Sequence, residues 1–170
     1  MNSPRYLLDT DTCIYIANRR PPAVLKRLEK LHDGEAAISV ITWGELACGA
    51  ARSSQPKATQ ATLDELQSAL QVLPLPPQAG PAYGRLRAAL QAAGQPIGGN
   101  DLWIASHALA LRLVLVSNNT REFTKVPGLK VQNWTSRQPA GRSCLPACPG
   151  NWYKAGPSSA TGPRLSRASH

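Results

Sequence analysis

Short apolar runs that alternate with helical segments constrain the fold of this chain more than any other feature of its sequence. The runs at 5–8, 36–41 and 113–116 are rich in Leu, Ile, Val and Ala and lack a regular polar alternation, which is typical of strands buried on both faces of a sheet. Between them lie segments whose apolar residues recur at helical spacing. Strands separated by helices predict an α/β fold with a central, mainly parallel sheet flanked by helices on both faces.

Proline and glycine mark several boundaries of the predicted elements. Pro21 and Pro22 start one helix, and Gly94 and Pro96 end another. Strands are predicted at 5–8, 36–41, 72–75, 113–116 and near Val131, and helices at 12–18, 21–31, 42–51, 60–70, 79–93 and 100–111. Because proline cannot donate a hydrogen bond to a neighbouring strand, Pro74 indicates that the 72–75 strand lies at an edge of the sheet.

Composition divides the chain of 170 residues into two unequal parts. Residues 1–134 carry 14 Lys+Arg and 10 Asp+Glu and are predicted to form one domain. Residues 135–170 are rich in Pro, Gly, Ser and Arg and show neither a helical nor a strand period. We expect this segment to be a disordered extension, or a sequence with no function of its own. The net charge of +9 favours a nucleic-acid partner, although more than half of the excess lies in the extension.

The sequence contains no evident signal peptide or membrane span. No basic segment followed by apolar and small residues opens the chain, and the most apolar stretch, 102–116, is interrupted by His107 and Arg112. We therefore expect a cytoplasmic protein without a membrane partner.

Acidic residues follow the predicted strands where each strand ends. Asp9 and Asp11 come directly after the first strand, and Glu45 lies in the first turn of the helix after the second. Asp101 lies in the first turn of the helix that starts near residue 100, and Glu122 follows the 113–116 strand and a polar turn. Because sites in parallel sheets form at the carboxyl ends of the strands, we expect these five of the chain's ten acids to converge.

Some of these acids also have a plausible capping role. Asp11 is the expected cap of the helix after the first strand, which favours a functional role for Asp9. Glu45 matches a capping box that begins at Thr42. Asp101 matches a favourable first-turn acid beside a cap at residue 100. No single acid indicates a catalytic site, but the placement of all of them at the ends of predicted strands and the starts of predicted helices does.

Carboxylates that lie close together repel one another and lose hydration, and a divalent cation relieves both costs. Oxygen ligands without cysteine or histidine indicate Mg²⁺ or Mn²⁺. Such an ion activates water and stabilises the charge that develops on a phosphodiester. The predicted catalytic residues of a nuclease or phosphatase are therefore Asp9, Glu45, Asp101 and Glu122.

Four segments resemble the acidic motifs of PIN-domain ribonucleases, and those of the VapC toxins of bacterial toxin–antitoxin pairs in particular. They are YLLDTD at 6–11, ISVITWGEL at 38–46, PIGGND at 96–101 and LVSNNTREF at 115–123, and the likeness extends over residues 4–134. The resemblance implies a PIN-like fold and a Mg²⁺-dependent endoribonuclease that acts on RNA, typically tRNA. It also implies a VapB-type antitoxin partner and a homodimer.

The resemblance also assigns individual roles. Asp9 and Asp101 take the positions of the principal metal ligands, and Glu45 and Glu122 take the third and fourth acidic positions. Asp11 departs from the pattern, since the family usually has Asn there, and the change adds a negative charge near the metal.

Two residues beside the fourth acid are candidate substrate contacts. Asn119 is expected to help order the site, and Arg121 is a candidate contact to phosphate. Arg85 and Arg87 are further candidates for phosphate contacts, although a solvated charge on a helix is the favoured interpretation of both.

Two rival interpretations remain open. Asp9-Thr10-Asp11-Thr12 also resembles the DxDxT motif of haloacid-dehalogenase-like phosphatases, in which the first Asp is a nucleophile and the second a general acid. That family needs a later acidic pair for Mg²⁺, and no acid follows Glu122. The other rival is a non-catalytic PIN module that acts only by binding an antitoxin.

Overall fold

A computed structural model describes residues 3–135 of the chain. The predicted extension lies outside the described residues from position 136 onward. The elements in chain order are β1 (Tyr6–Leu8), α1 (Thr10–Ala17), α2 (Pro22–Leu28), β2 (Ala36–Ser39), α3 (Val40–Ala51), α4 (Pro56–Ala69), β3 (Gln71–Leu73), α5 (Ala79–Ala92), α6 (Gly99–Ala110), β4 (Val114–Val116), α7 (Thr120–Phe123) and β5 (Val131–Gln132).

The five strands form one sheet in the order β3-β2-β1-β4-β5, and every neighbouring pair is parallel. This confirms the predicted α/β class with a parallel sheet. The outermost position of β3, which ends just before Pro74, confirms the predicted edge strand. Leu8 at the end of β1 pairs with Ile38 on one side and Val116 on the other. The residues that follow these positions therefore emerge at one edge of the sheet.

Hydrophobic cores lie on both faces of the sheet, which explains why the strands are apolar without interruption. Leu7 and Leu8 point to opposite faces, and both are fully buried. Leu8 belongs to the core built with α1 to α4, which includes Val24 and Leu63. Leu7 belongs to the other core, which α5, α6 and α7 complete. The predicted helical cover on both faces is confirmed.

Most of the predicted helices begin at other residues than the sequence predicted, and three of them show why. α3 starts two residues before Thr42, because the Ser39 hydroxyl accepts from the Ile41 amide and caps the helix. α6 is capped at Gly98, one residue before its start, and Asn100 is inside it. α4 starts at Pro56, four residues before the predicted start. None of the helices within residues 3–135 has the length and apolar character that a membrane span requires.

Candidate active site

Asp9 is the most buried acid of the predicted cluster and joins two neighbouring strands. Its side chain is only 6% exposed. One carboxylate oxygen accepts from the Thr10 amide at 2.8 Å, and the other accepts from the Ser117 hydroxyl at 2.7 Å. The pKa of Asp9 is raised to about 6, chiefly by burial. The two hydrogen bonds lower the pKa, and the charges of Asp11 and Asp101 raise it. Asp9 also caps α1, so the prediction that Asp11 is the cap was wrong.

Asp101 lies in the first turn of α6, as the sequence predicted. The carboxylate is half-buried. Burial raises its pKa first, and the negative charges of Glu45, Glu122 and Asp11 raise it further. The charges of Glu45, Glu122 and Asp11 therefore lie near Asp101, and those of Asp11 and Asp101 lie near Asp9, at the same edge of the sheet.

Glu45 connects α3 to both α1 and α6. The Thr10 hydroxyl donates to one oxygen of its carboxylate, and the Asn100 amide nitrogen donates to the other at 2.8 Å. Since α3 begins at Val40, Glu45 lies in the second turn and faces the neighbouring helices. The capping-box alternative for Glu45, and the capping role for Asn100, were therefore wrong.

Glu122 lies in α7 and is the only acid of the cluster that forms an ion pair within the described residues. Its carboxylate lies 2.7 Å from the Lys125 ammonium. Its charge is among those that raise the pKa of Asp101.

Asp11 holds the loop between β4 and α7. One of its carboxylate oxygens accepts from the backbone amides of Asn118 at 2.8 Å and Asn119 at 3.2 Å, and lies 3.4 Å from the Ser117 hydroxyl. Ser117 in turn donates to Asp9. Asp11 therefore fixes the loop that brings Ser117 to Asp9.

The two candidate substrate contacts lie at the exposed side of this loop. Asn119 precedes α7 as its cap residue, and its backbone amide bonds to Asp11 and Ser117. The side chains of Asn119 and Arg121 are exposed. Neither side chain forms an ion pair or hydrogen bond recorded among residues 3–135, so both are accessible to a ligand.

Sequence reasoning missed three polar residues that orient the acids: Thr10, Asn100 and Ser117. Ser117 carried a usable signal, because Leu8 pairs with Val116 and the next residues of the two strands, Asp9 and Ser117, must then be neighbours. Thr10 and Asn100 had no such signal, since their contacts depend on how three helices pack.

A divalent cation fits the chemistry of this site, although no preformed metal-binding group of three or more His, Cys, Asp or Glu side chains is present in residues 3–135. The donors are oxygens only, which suits a hard cation. Asp9 and Asp101 have raised pKa values, and no Lys or Arg of the described chain forms an ion pair with either. A cation at this edge would favour their ionised forms. That all four predicted acids share one ion stays a prediction.

Comparison with known proteins gives one consistent result. Residues 6–129 match the family model described as "PIN domain". The chain is 39% identical over 130 residues to "Ribonuclease VapC2" of Haemophilus influenzae, a match that covers 76% of this chain and 98% of that protein. It is 37% identical over 131 residues to "tRNA(fMet)-specific endonuclease VapC" of Shigella flexneri, covering 77% and 98%.

Solved structures agree with the sequence matches. The fold is similar to VapBC2 from Rickettsia felis bound to a DNA fragment from its promoter, with a TM-score of 0.72, 38% identity, and coverage of 76% of this chain and 98% of that one. It is also similar to DNA-bound VapBC from Salmonella typhimurium, with a TM-score of 0.73, 37% identity, and coverage of 77% and 98%. In both comparisons the matched region accounts for nearly the whole of the other chain.

Proposed function

Because this chain belongs to the PIN-domain family and, within it, to the VapC ribonucleases, we propose that it is the toxin of a toxin–antitoxin pair and a Mg²⁺-dependent endoribonuclease that hydrolyses tRNA. Relatives from Shigella flexneri and Salmonella typhimurium are named tRNA(fMet)-specific endonucleases, which supports tRNA as the substrate class. A tRNA substrate also implies action in the cytoplasm.

The observation that carries the proposal is the hydrogen bonding that connects the acids at the carboxyl edge of a parallel sheet. Ser117 bonds to both Asp9 and Asp11, Thr10 bonds to both Asp9 and Glu45, and Asn100, next to Asp101, bonds to Glu45. Carboxylates held close together destabilise a fold, and a bound cation would offset that cost. The family match supplies the reaction, since the named relatives are ribonucleases.

Each acid has a distinct proposed role. Asp9 and Asp101 would hold the divalent ion, which when bound supplies an activated water and stabilises charge on the phosphodiester. Glu45, held by Thr10 and Asn100, would orient the ion or the water. Glu122, whose charge Lys125 partly offsets, would add a fourth carboxylate to the site.

Two exposed side chains beside the acids would contact the RNA. Arg121 carries a positive charge with no ion-pair partner among residues 3–135, so it would attract a phosphate of the strand. Asn119 would donate to or accept from the same nucleotide.

The proposed protein partner is a VapB-type antitoxin, because the similar structures from Rickettsia felis and Salmonella typhimurium are VapBC complexes. We also propose a homodimer, on the family resemblance.

The phosphatase alternative is not favoured. Its motif requires Asp11 to act as a general acid, whereas the Asp11 carboxylate here accepts two backbone amides of the 117–119 loop.

The test is cleavage of a tRNA pool by purified protein freed of antitoxin. We expect cleavage with Mg²⁺, no cleavage with EDTA, and a loss of at least about 100-fold in Asp9→Asn and Asp101→Asn, because each removes a charge that the ion requires. Asp33→Asn is the matched control, since Asp33 is exposed and precedes β2 at the opposite edge of the sheet. Cleavage that persists in EDTA would contradict the proposal. Hydrolysis of p-nitrophenyl phosphate without RNA cleavage would favour the phosphatase.

A further inference from the structure

We propose that a groove between α5 and the loop before α6 is a subsite for one unpaired nucleotide of the RNA strand, next to the bond that is cleaved. The inference rests on the proposed ribonuclease function. The groove has a volume of about 250 Å³, and Tyr83, Arg87, Pro96, Ile97 and Gly99 are among its lining residues. Tyr83 gives it an aromatic side, Arg87 gives it a cation, and Gly99 and Leu102, which flank Asp101 in the chain, lie in its lining.

The aromatic wall begins at Tyr83, whose ring stacks on that of Trp103. The ring centroids are 4.0 Å apart and the planes differ by 18°. Both residues are partly exposed, and Trp103 lies two residues after Asp101 on α6. A ring held in place by another ring loses little freedom when a further flat group packs against it. Unpaired RNA bases commonly stack on such aromatic side chains.

The cation is Arg87, one turn after Tyr83 on α5. Its guanidinium donates to the Tyr83 hydroxyl at 3.1 Å and lies 5.8 Å from the centre of the Tyr83 ring. Arg87 is exposed, α5 contains no acid, and no ion pair to Arg87 occurs among residues 3–135. A guanidinium with an uncompensated charge beside an aromatic ring suits a phosphate next to a stacked base.

The connection to Asp101 consists of two glycines. Gly99 lines the groove, and a Cβ on Gly98 would lie 3.4 Å from a carboxylate oxygen of Asp101. Because both residues are glycines, they add no side chain that could block the path from the groove to Asp101. An RNA strand that seats a base against Tyr83 would pass over glycine backbone to reach Asp101.

The size of the groove restricts the occupant. A volume of about 250 Å³ is below the range of ~300–1,000 Å³ that is usual for sites of larger ligands. The groove suits a single flipped-out or loop base, whereas a paired stem of tRNA could not enter it.

The test compares four single variants on the antitoxin-free protein with a short single-stranded RNA that wild type cleaves. Arg87→Gln should raise KM about 3- to 10-fold with little change in kcat, and should reduce the slope of log KM against log salt concentration by about 0.7, the value for one lost contact to single-stranded phosphate. Arg85→Gln removes the same charge from the same helix outside the groove and should leave both quantities unchanged. Tyr83→Leu should raise KM about 5- to 100-fold, and Tyr83→Phe, which keeps the ring, much less.

An abasic substitution in the RNA identifies the base. Removing the base on one side of the cleaved bond should raise KM for wild type and have no further effect on Tyr83→Leu, because the two changes remove the same contact. Absence of cleavage by wild type would refute the ribonuclease function itself. If wild type cleaves RNA and Arg87→Gln behaves as Arg85→Gln does, or if Arg87→Gln and Tyr83→Phe change the oligomeric state and not KM, the groove is not an RNA subsite.

Discussion

Burial of Asp9 is the main electrostatic cost within the candidate site. The folded protein holds this carboxyl at a pKa of about 6, above its ordinary value of 3.8, chiefly because the side chain is desolvated. A raised pKa in the folded state means that the fold favours the neutral acid. The contribution of neutral Asp9 to the free energy of unfolding is fully present below about pH 4, and it is lost as the pH rises through about 6. Ionised Asp9 therefore destabilises the metal-free protein at neutral pH.

Asp9→Asn should consequently stabilise the protein in EDTA at pH 8, by up to roughly 3 kcal/mol. The gain should shrink toward pH 5, because wild-type Asp9 is then largely neutral. Urea denaturation of both proteins at the two pH values measures the difference in the free energy of unfolding. A variant that is equally destabilised at both pH values would show that the hydrogen bonds to Thr10 and Ser117, and not the charge, determine the effect.

At the scale of elements, Asp11 ties α1 to the loop that leads from β4 into α7. The loop amides of Asn118 and Asn119 both point at its carboxylate. This loop also supplies Ser117 to Asp9 and positions the helix that carries Glu122. Replacing Asp11 should therefore change the positions of two other acids of the site, Asp9 and Glu122.

Asp11→Ala should lower kcat for RNA cleavage about 10- to 100-fold, since it releases the loop and misplaces groups of the site by a fraction of an ångström or more. Asp11→Asn keeps one acceptor oxygen and should retain most of the activity. Single-turnover cleavage and thermal unfolding of both variants distinguish positioning from charge. Equal losses in the two variants would indicate that the negative charge of Asp11 is required.

The positions of the strands and of the acids that follow them could be predicted from sequence because they depend on local pattern, whereas the strand order was not predicted. Apolar runs such as 113–116 identified the strands, and parallel pairing then put Asp9 and Glu122 at one edge. Helix starts could not be predicted as well, because competing caps lie within a few residues of one another. Ser39 caps α3 instead of Thr42, and Asp9 caps α1 instead of Asp11. The contacts of Glu45 depend on tertiary packing, which no local pattern encodes.

At the scale of the whole molecule, three strands and four helices bring acids together that are far apart in sequence. The carboxyl ends of β1, β2 and β4 lie side by side in the sheet. The acids are held there by α1, α3 and α7, which follow these strands, and by α6, which precedes β4. Cations such as Arg87 and Arg121 are exposed and form no ion pair within the described chain. The resulting surface has an acidic centre with basic side chains nearby, which suits a cation and an RNA backbone together.

The central claim is tested most directly by measuring Mn²⁺ binding to the purified, antitoxin-free protein. Electron paramagnetic resonance at pH 8 reports the free and bound ion. The account predicts that wild type and Asp33→Asn bind Mn²⁺, that Mg²⁺ competes for the site, and that Asp101→Asn binds at least about tenfold more weakly because a charged ligand is lost. If Asp101→Asn bound Mn²⁺ as tightly as wild type, the acids at this edge would not form the metal site.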